Sequence, residues 1–327
     1  MVDNEDVRDE ADETMNNGKK LVGAVIENRF KLEGVIGRGG LSTVYKGHHE
    51  KAGFPVAVKV LHADFSDTDE SRERFKREAE IINHLNHPNI VHMYSFGFIT
   101  DQTDGLAAQY RPGSEPLPYL VLEHLDGYGL DTILDQRVRL SENLAYRLIA
   151  GVIEGLQFAH DMGIVHRDIK PSNVMVIEEL SNDDKSYPGP YSQHVKLLDF
   201  GIAKCNACHD EKPAQLTQPG FVFGSPLYMS PEQCKGQDVD QRSDIYSLGC
   251  MYYEMLTGKP PFKGESAVHT FAMHLYEKPV QMPIGEGDGL VSQELNDIIL
   301  RCLQKDKEDR WRSVSQLKQA LKDLYKF

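Results

Sequence analysis

His166-Arg167-Asp168-Ile169-Lys170-Pro171-Ser172-Asn173, followed 26 residues after Asn173 by Asp199-Phe200-Gly201 and then by Ser230-Pro231-Glu232, is the stretch on which the reading of this 327-residue chain turns. Working outward toward the N-terminus, the run Val56-Ala57-Val58-Lys59 puts a lysine inside an apolar, strand-like segment, an anomaly unless its ammonium meets an anion. Glu78, on a segment of helical period, is the natural counter-ion, with a solvated helix face carrying Glu78 and Glu80 alike as the bland alternative. Further upstream, Gly37-Arg38-Gly39-Gly40-Leu41-Ser42-Thr43-Val44 lies between two strand-like runs, where glycines let backbone amides approach a phosphate. No Gly-Lys-Ser/Thr ends this cluster and a strand follows it, which excludes a Walker A loop and a dinucleotide fingerprint. On its own the cluster reads equally well as a tight hairpin.

The five fragments, in this order and spacing, resemble the protein-kinase signature set, and the resemblance runs from Phe30 to about Tyr325. It is strongest to the eukaryotic-type serine/threonine kinases of bacteria. Ser42 stands where many kinases carry a third glycine, a departure that touches a loop working through its backbone. Lys170, two residues after Asp168, and the segment Gly224-Ser225-Pro226-Leu227-Tyr228 are similar to the serine/threonine class. The resemblance implies an α+β, bilobal fold: a small β-rich N-lobe with one main helix and a larger α-helical C-lobe. It implies ATP and Mg²⁺, and acceptor hydroxyls on Ser or Thr of protein substrates. Lys59, oriented by Glu78, would hold the α- and β-phosphates, while Asp199 and Asn173 would hold the metal. Asp168 would accept or orient the acceptor proton, and Lys170 would reach the γ-phosphoryl group as charge moves. By the same similarity Gly37 and Gly39 belong to the phosphate loop, Val44, Ala57 and Met175 enclose adenine, and Glu123 and Leu125 offer it backbone hydrogen bonds. Leu122 would be the gatekeeper, and Ile82, Met93, His166 and Phe200 a spine. Asp244 and the pair Glu232 with Arg310 read as structural. Arg167 beside Asp168 suggests an anion supplied later, and Thr217 is the hydroxyl best placed to carry it as a phosphate, with Lys196 or Lys204 assisting. A transient homodimer would serve such trans-autophosphorylation.

The composition is that of an ordinary globular chain, at 40% apolar and 26% charged residues. Fifty acids against 36 bases leave a formal charge of −14, the wrong sign for general nucleic-acid binding. Five cysteines, an odd number without repeated spacing, suit a reducing compartment, so a cytoplasmic location is expected. The first residues are acidic where a signal peptide would be basic and apolar. The apolar segment Leu144 to Ala159 is broken by Arg147, Glu154 and Gln157, so no membrane span is expected and the chain reads as free-standing or trimmed.

Residues 1–28 are expected to form an acidic disordered tail, 29–124 the N-lobe and 125–327 the C-lobe. Strands are expected at Phe30 to Ile36, Thr43 to His48, Val56 to Leu61, Val91 to Phe98 and Tyr119 to Glu123, with a helix from Ser71 to Leu85. In the second lobe Ser141 caps a helix striped by Leu144, Leu148, Val152, Leu156 and Ala159; others run from about Asp244 to Gly258, Ser292 to Cys302 and Ser313 to Tyr325. Ile99 to Pro118, Glu178 to His194 and Cys205 to Phe223 read as long loops. Cys205-Asn206-Ala207-Cys208-His209 matches a c-type haem attachment sequence, discounted because nothing here directs export; two loop cysteines without a role are the preferred reading, with a redox-responsive thiol pair or half a metal site as the alternatives. Two rivals to an active protein kinase are a scaffold that transfers nothing, favoured only by Ser42, and a small-molecule kinase, disfavoured by the docking segment from Gly224 to Glu232.

Overall fold

Pro55 to Leu61 alternates Val56, Val58 and Val60, all buried, with half-buried Ala57 and Lys59, so one face of this strand seals a core and the other carries the lysine. The structure, a computed structural model, describes residues 21–62, 68–100, 116–177, 195–200, 225–285 and 290–325. These divide into two units, one ending at 86 and resuming over 92–125, the other comprising 87–91 and the residues from 126 onward. In the first unit β1 (Val25–Ile26), β2 (Phe30–Arg38), β3 (Ser42–His49), β4 (Pro55–Leu61), β5 (Met93–Ile99) and β6 (Leu117–Glu123) form an antiparallel sheet of order β1-β2-β3-β4-β6-β5.

Helix α1 (Asp69–Asn83) begins where the Thr68 side chain accepts the Ser71 N–H, two residues before the expected start. Its buried Phe75 and Ala79 face the sheet, with the Phe75 ring set edge-on to Phe98 at 5.3 Å between centroids. Glu78 is half-buried next to this packed stripe, while Glu80 is exposed, which separates the two acids as the sequence did not.

One expectation is overturned here. Residues 21–28 are not tail: Leu21, Ala24 and Ile26 are buried in the core of the first unit, and β1 pairs with β2 through Val25↔Lys31 and Ile26↔Phe30. The turn between the strands holds Glu27 and Asn28 at φ of 53° and 52°. The Glu27 carboxylate secures it, accepting from Ser95 Oγ at 2.5 Å and Tyr119 Oη at 2.7 Å and pairing with Arg29. Those donors hold its pKa below the ordinary value against the opposing effect of burial. Three apolar residues suffice because the sheet supplies the rest of their surroundings. The first lobe therefore begins at or before residue 21; residues 1–20 lie outside the described residues.

The second unit is built on helices α2 (Leu130–Arg137), α3 (Glu142–Asp161), α4 (Pro231–Cys234), α5 (Gln241–Thr257), α6 (Ala267–Tyr276), α7 (Gln293–Cys302) and α8 (Val314–Tyr325). A small antiparallel sheet, β7 (Tyr128–Gly129), β8 (Val174–Val176) and β9 (Val195–Leu197), lies in the same unit. Ser141 caps α3 and all five residues of its stripe are buried, as read from the sequence. Gly155 lets α3 close on its neighbours, since a Cβ there would lie 2.9 Å from the Asn89 carbonyl oxygen and 3.0 Å from Leu197 Cδ1. Helix α5 starts at Gln241 behind an Asp240 cap and ends on Gly258 at φ 76°, the left-handed stop that glycine permits. Between those ends it is buried on nearly every side. Of the three long loops, Glu178 to His194 and Cys205 to Phe223, together with 101–115 of the first, lie outside the described residues. No described helix is long and apolar enough to cross a membrane.

Replacing Ile26, 1% exposed, by Ala should destabilise the first unit by about 2–4 kcal/mol in chemical denaturation. A change under about 0.5 kcal/mol would restore the tail reading.

Candidate functional site

Strand register gathers the first set of expected residues. Cross-strand partners share a sheet face, and Val44 pairs with Lys59, Ala57 with Leu122, and Lys59 with Leu120. Val44, Ala57, Lys59 and Leu122 thus line one face of the sheet. Gly37 pairs with Val44 at the entrance to a turn that the Gly39 N–H closes on the Ser42 carbonyl at 2.9 Å. The glycine cluster is therefore the turn of a tight hairpin between β2 and β3. At the end of β6, the Glu123 N–H donates to the His92 carbonyl at 2.9 Å and the Glu123 carboxylate accepts the His92 N–H at 2.7 Å. The expected backbone contribution of Glu123 narrows accordingly to its carbonyl. Leu125 follows, half-buried.

In the second unit the deciding residues converge on one carboxylate. Asp168 Oδ2 lies 3.0 Å from Lys170 Nζ and accepts from Asn173 Nδ2, also at 3.0 Å. Asn173 Nδ2 further donates to the Asp168 carbonyl at 2.8 Å, which leaves Oδ1 as the atom of that amide able to ligate a cation. The Leu198 N–H donates to the Asn173 carbonyl at 2.9 Å, which ties the backbone just before Asp199 to Asn173. Asp199 has φ 50°, a left-handed conformation that redirects its side chain. Amide and carboxylate oxygens are hard donors, and two protein ligands with phosphate and water completing the shell is the manner in which Mg²⁺ binds, so the pair fits that ion. Met175 lies on β8, half-buried, opposite Lys196.

A second carboxylate holds this loop. Asp244, 1% exposed on α5, accepts the His166 N–H, the Arg167 N–H and His160 Nε2, each at 2.8 Å. Gln233 Nε2 donates to the Arg167 carbonyl at 2.9 Å, so Arg167 is held at both ends in its left-handed conformation, φ 66°. Asp244 therefore shapes the loop bearing Asp168. Sequence reasoning missed Gln233, although Ser230-Pro231-Glu232-Gln233 spells the capping box that forms at the start of α4. His166 is fully buried with Nε2 donating to the Leu198 carbonyl at 2.8 Å and its ring 4.5 Å from Phe200. The Asp168 N–H lies 3.3 Å from Nδ1, so the ring satisfies both neighbours with one proton. Burial keeps its pKa below the ordinary histidine value.

Beyond the loop, Glu232 receives a bidentate pair from Arg310, both contacts 2.8 Å, and every other Arg310 N–H meets a carbonyl, of Gln304, Arg242 or Lys305. The segment Pro226–Tyr228 rests on α5, with Ser247 Oγ donating to the Tyr228 carbonyl at 2.7 Å and the Tyr228 hydroxyl donating to Glu254. His274 of α6 is buried against it, bonded through Nδ1 to Tyr246 Oη at 2.9 Å, and burial lowers its pKa to about 4. Lys196 donates to the Ile90 carbonyl at 3.4 Å. Gly201, Lys204, Cys205, Cys208, Thr217 and Gly224 lie outside the described residues.

Residues 30–325 match the protein kinase domain. The chain belongs to the protein kinase family. The kinase domain is 37% identical over 295 residues to the probable serine/threonine-protein kinase PknB of Bifidobacterium longum, covering 90% of this chain and 39% of that protein. It is 36% identical over 296 residues to the serine/threonine-protein kinase PknB of Mycobacterium tuberculosis, covering 90% of this chain and 43% of that one. The chain thus spans about two fifths of the length of these relatives.

The buried histidines give the kinase domain a pH signature. His274, and His166 in the same direction, stay neutral in the fold but gain a proton below about pH 6.5 when unfolded. The unfolded chain then binds more protons, so stability falls as pH drops from about 6.5 toward 4. Over that window the thermal midpoint of His274→Phe should fall less steeply than that of the wild type. Parallel curves would remove His274 from the account.

Proposed function

We propose that this kinase domain transfers the γ-phosphoryl group of Mg·ATP to Ser or Thr hydroxyls of protein substrates. The observation that carries the proposal is the cluster on Asp168: a carboxylate with Lys170 Nζ and Asn173 Nδ2 both 3.0 Å from one oxygen. Transfer proceeds through a loose transition state in which charge spreads over the phosphoryl oxygens, so catalysis rests on positioning and fixed charge. Asp168 orients the acceptor hydroxyl and takes its proton as the oxygen bonds to phosphorus and the bond to the ADP leaving group breaks. Lys170 offsets the negative charge arriving at the acceptor side. Bound Mg²⁺, on Asn173 and Asp199, would neutralise phosphate charge. Lys59, set by Glu78, holds the α- and β-phosphates, Gly37 and Gly39 admit them to the turn, and Val44, Ala57 and Met175 pack on adenine, with Leu125 and the Glu123 carbonyl as its polar partners.

The segment Ser225 to Ser230 supports a peptide acceptor, since α5 and α6 fix it from beneath and Ser230 is consumed as the cap of α4. That argues against a small-molecule acceptor. We also place regulation at Thr217: a phosphate there adds nearly two negative charges, for which Arg167 beside Asp168 is the partner. A second copy of the chain would act as the donor enzyme, and a cytoplasmic setting suits the free thiols of Cys234, Cys250 and Cys302.

With radiolabelled ATP, the wild type should label both itself and a generic basic protein. Lys59→Met and Asp168→Asn should each lower transfer by at least about 100-fold while unfolding at the wild-type temperature. Mass spectrometry of the same wild-type sample should find phosphate on Thr217. Near wild-type transfer by Asp168→Asn would refute the mechanism, and an unmodified Thr217 in a fully active sample would remove the switch.

A further inference from the structure

A residue that no signature motif includes controls the glycine turn. His62 stands just past the end of β4, three positions beyond Lys59. Its backbone N–H donates to the Leu41 carbonyl at 3.0 Å, and its ring Nδ1 lies 3.1 Å from the Gly40 carbonyl oxygen. A carbonyl can only accept, so Nδ1 carries the proton, and Nε2 in that tautomer is the acceptor for the hydroxyl of Thr43, 3.4 Å away. Gly40 and Leu41 are the two residues at the tip of the turn that Gly39 and Ser42 close. One residue therefore holds both tip carbonyls.

Planarity of the peptide unit gives this a consequence. The carbonyl of one residue and the N–H of the next share a plane and point in opposite directions. Drawing the Gly40 and Leu41 carbonyls toward His62 sends the Leu41 and Ser42 N–H groups to the other side of the turn, side by side. Two successive amides aimed the same way form an anion-binding concavity. Glycine at 39 and 40 leaves the turn many conformations, and without an outside restraint the two peptide planes would rotate independently.

We infer that His62 is a positioning residue, which orients the Leu41 and Ser42 amides toward the nucleotide phosphates and so couples the phosphate cradle to the strand that carries Lys59. The inference rests on reading the glycine turn as that cradle. It also accounts for tolerance of Ser42 in place of a third glycine: the restraint lies on the tip carbonyls, not on the side chain of that position.

The test uses the full chain and three variants. His62→Phe keeps the ring shape without its nitrogens, His62→Asn keeps a donor near the place of Nδ1, and Leu41→Pro deletes one of the aimed amides. Calorimetric affinities are measured for Mg²⁺ with a non-hydrolysable ATP analogue and, separately, for adenosine, which has no phosphate. His62→Phe should weaken the analogue about tenfold, the loss of roughly one well-made hydrogen bond, and leave adenosine within about twofold. His62→Asn should recover most of that loss, and Leu41→Pro should reproduce it. If Leu41→Pro weakens the analogue and His62→Phe does not, the positioning role is refuted while the cradle stands. If neither does, the cradle reading fails and takes the role with it. Equal losses for analogue and adenosine in His62→Phe would mean a general structural defect and would also refute the role. Should His62→Phe not fold, His62→Ala is judged by the same limits.

Discussion

Asp244 places a carboxylate where almost no water reaches it and surrounds it with three donors: the backbone N–H groups of His166 and Arg167 and the ring of His160. A buried carboxylate is tolerable only when its oxygens are fully hydrogen-bonded, and here two of the three donors come from a loop far away in sequence. The constraint works in both directions. The charge needs the loop in one conformation, and that conformation includes Arg167 at φ 66°, which a side-chain-bearing residue adopts only under compulsion. With Arg167 so turned, Asp168 follows in the orientation that meets Lys170 and Asn173.

Helix α5 distributes this control through the second unit. Besides Asp244 it carries Ser243, bonded to Glu232; Ser247, bonded to the Tyr228 carbonyl; and Glu254, which receives the Tyr228 hydroxyl. The Arg310 guanidinium, 0% exposed with all five N–H groups engaged, fixes Glu232 and the ends of the neighbouring loops. Each of these groups would cost about 1–3 kcal/mol if left without its partner, so the loop bearing Asp168 and the segment Ser225 to Ser230 are held by the same buried polar scaffold. In the first unit His62 has an analogous role on a smaller scale. It turns flexible glycine backbone into a surface with a direction.

What was legible in the sequence follows from these physics. Lys59 stood out because a strand core rejects a lysine, and Asp168, Asn173 and Asp199 because the motifs His166–Asn173 and Asp199–Gly201 resemble the kinase signature set. The stripe of α3 and the glycine stop of α5 were readable as periodicity and punctuation. Leu21, Ala24 and Ile26 were not, because three apolar residues after an acidic run make no pattern until the sheet completes their surroundings. Helix α2, eight residues long, and α6, ten, are too short to show a period clearly. The roles of Asp244 and His62 were beyond reach for another reason: both act on backbone groups, at separations of 77 and 22 residues, and backbone groups leave no mark in a sequence.

If Asp244 acts on phosphoryl transfer through the loop that presents Asp168, the two residues must be coupled in the reaction. A double-mutant cycle on kcat with Asp244→Asn and Asp168→Asn measures this directly. The account expects Asp244→Asn to slow the wild-type enzyme at least about tenfold, yet to slow Asp168→Asn scarcely at all, because the group it positions is already gone. Losses that simply add would contradict it.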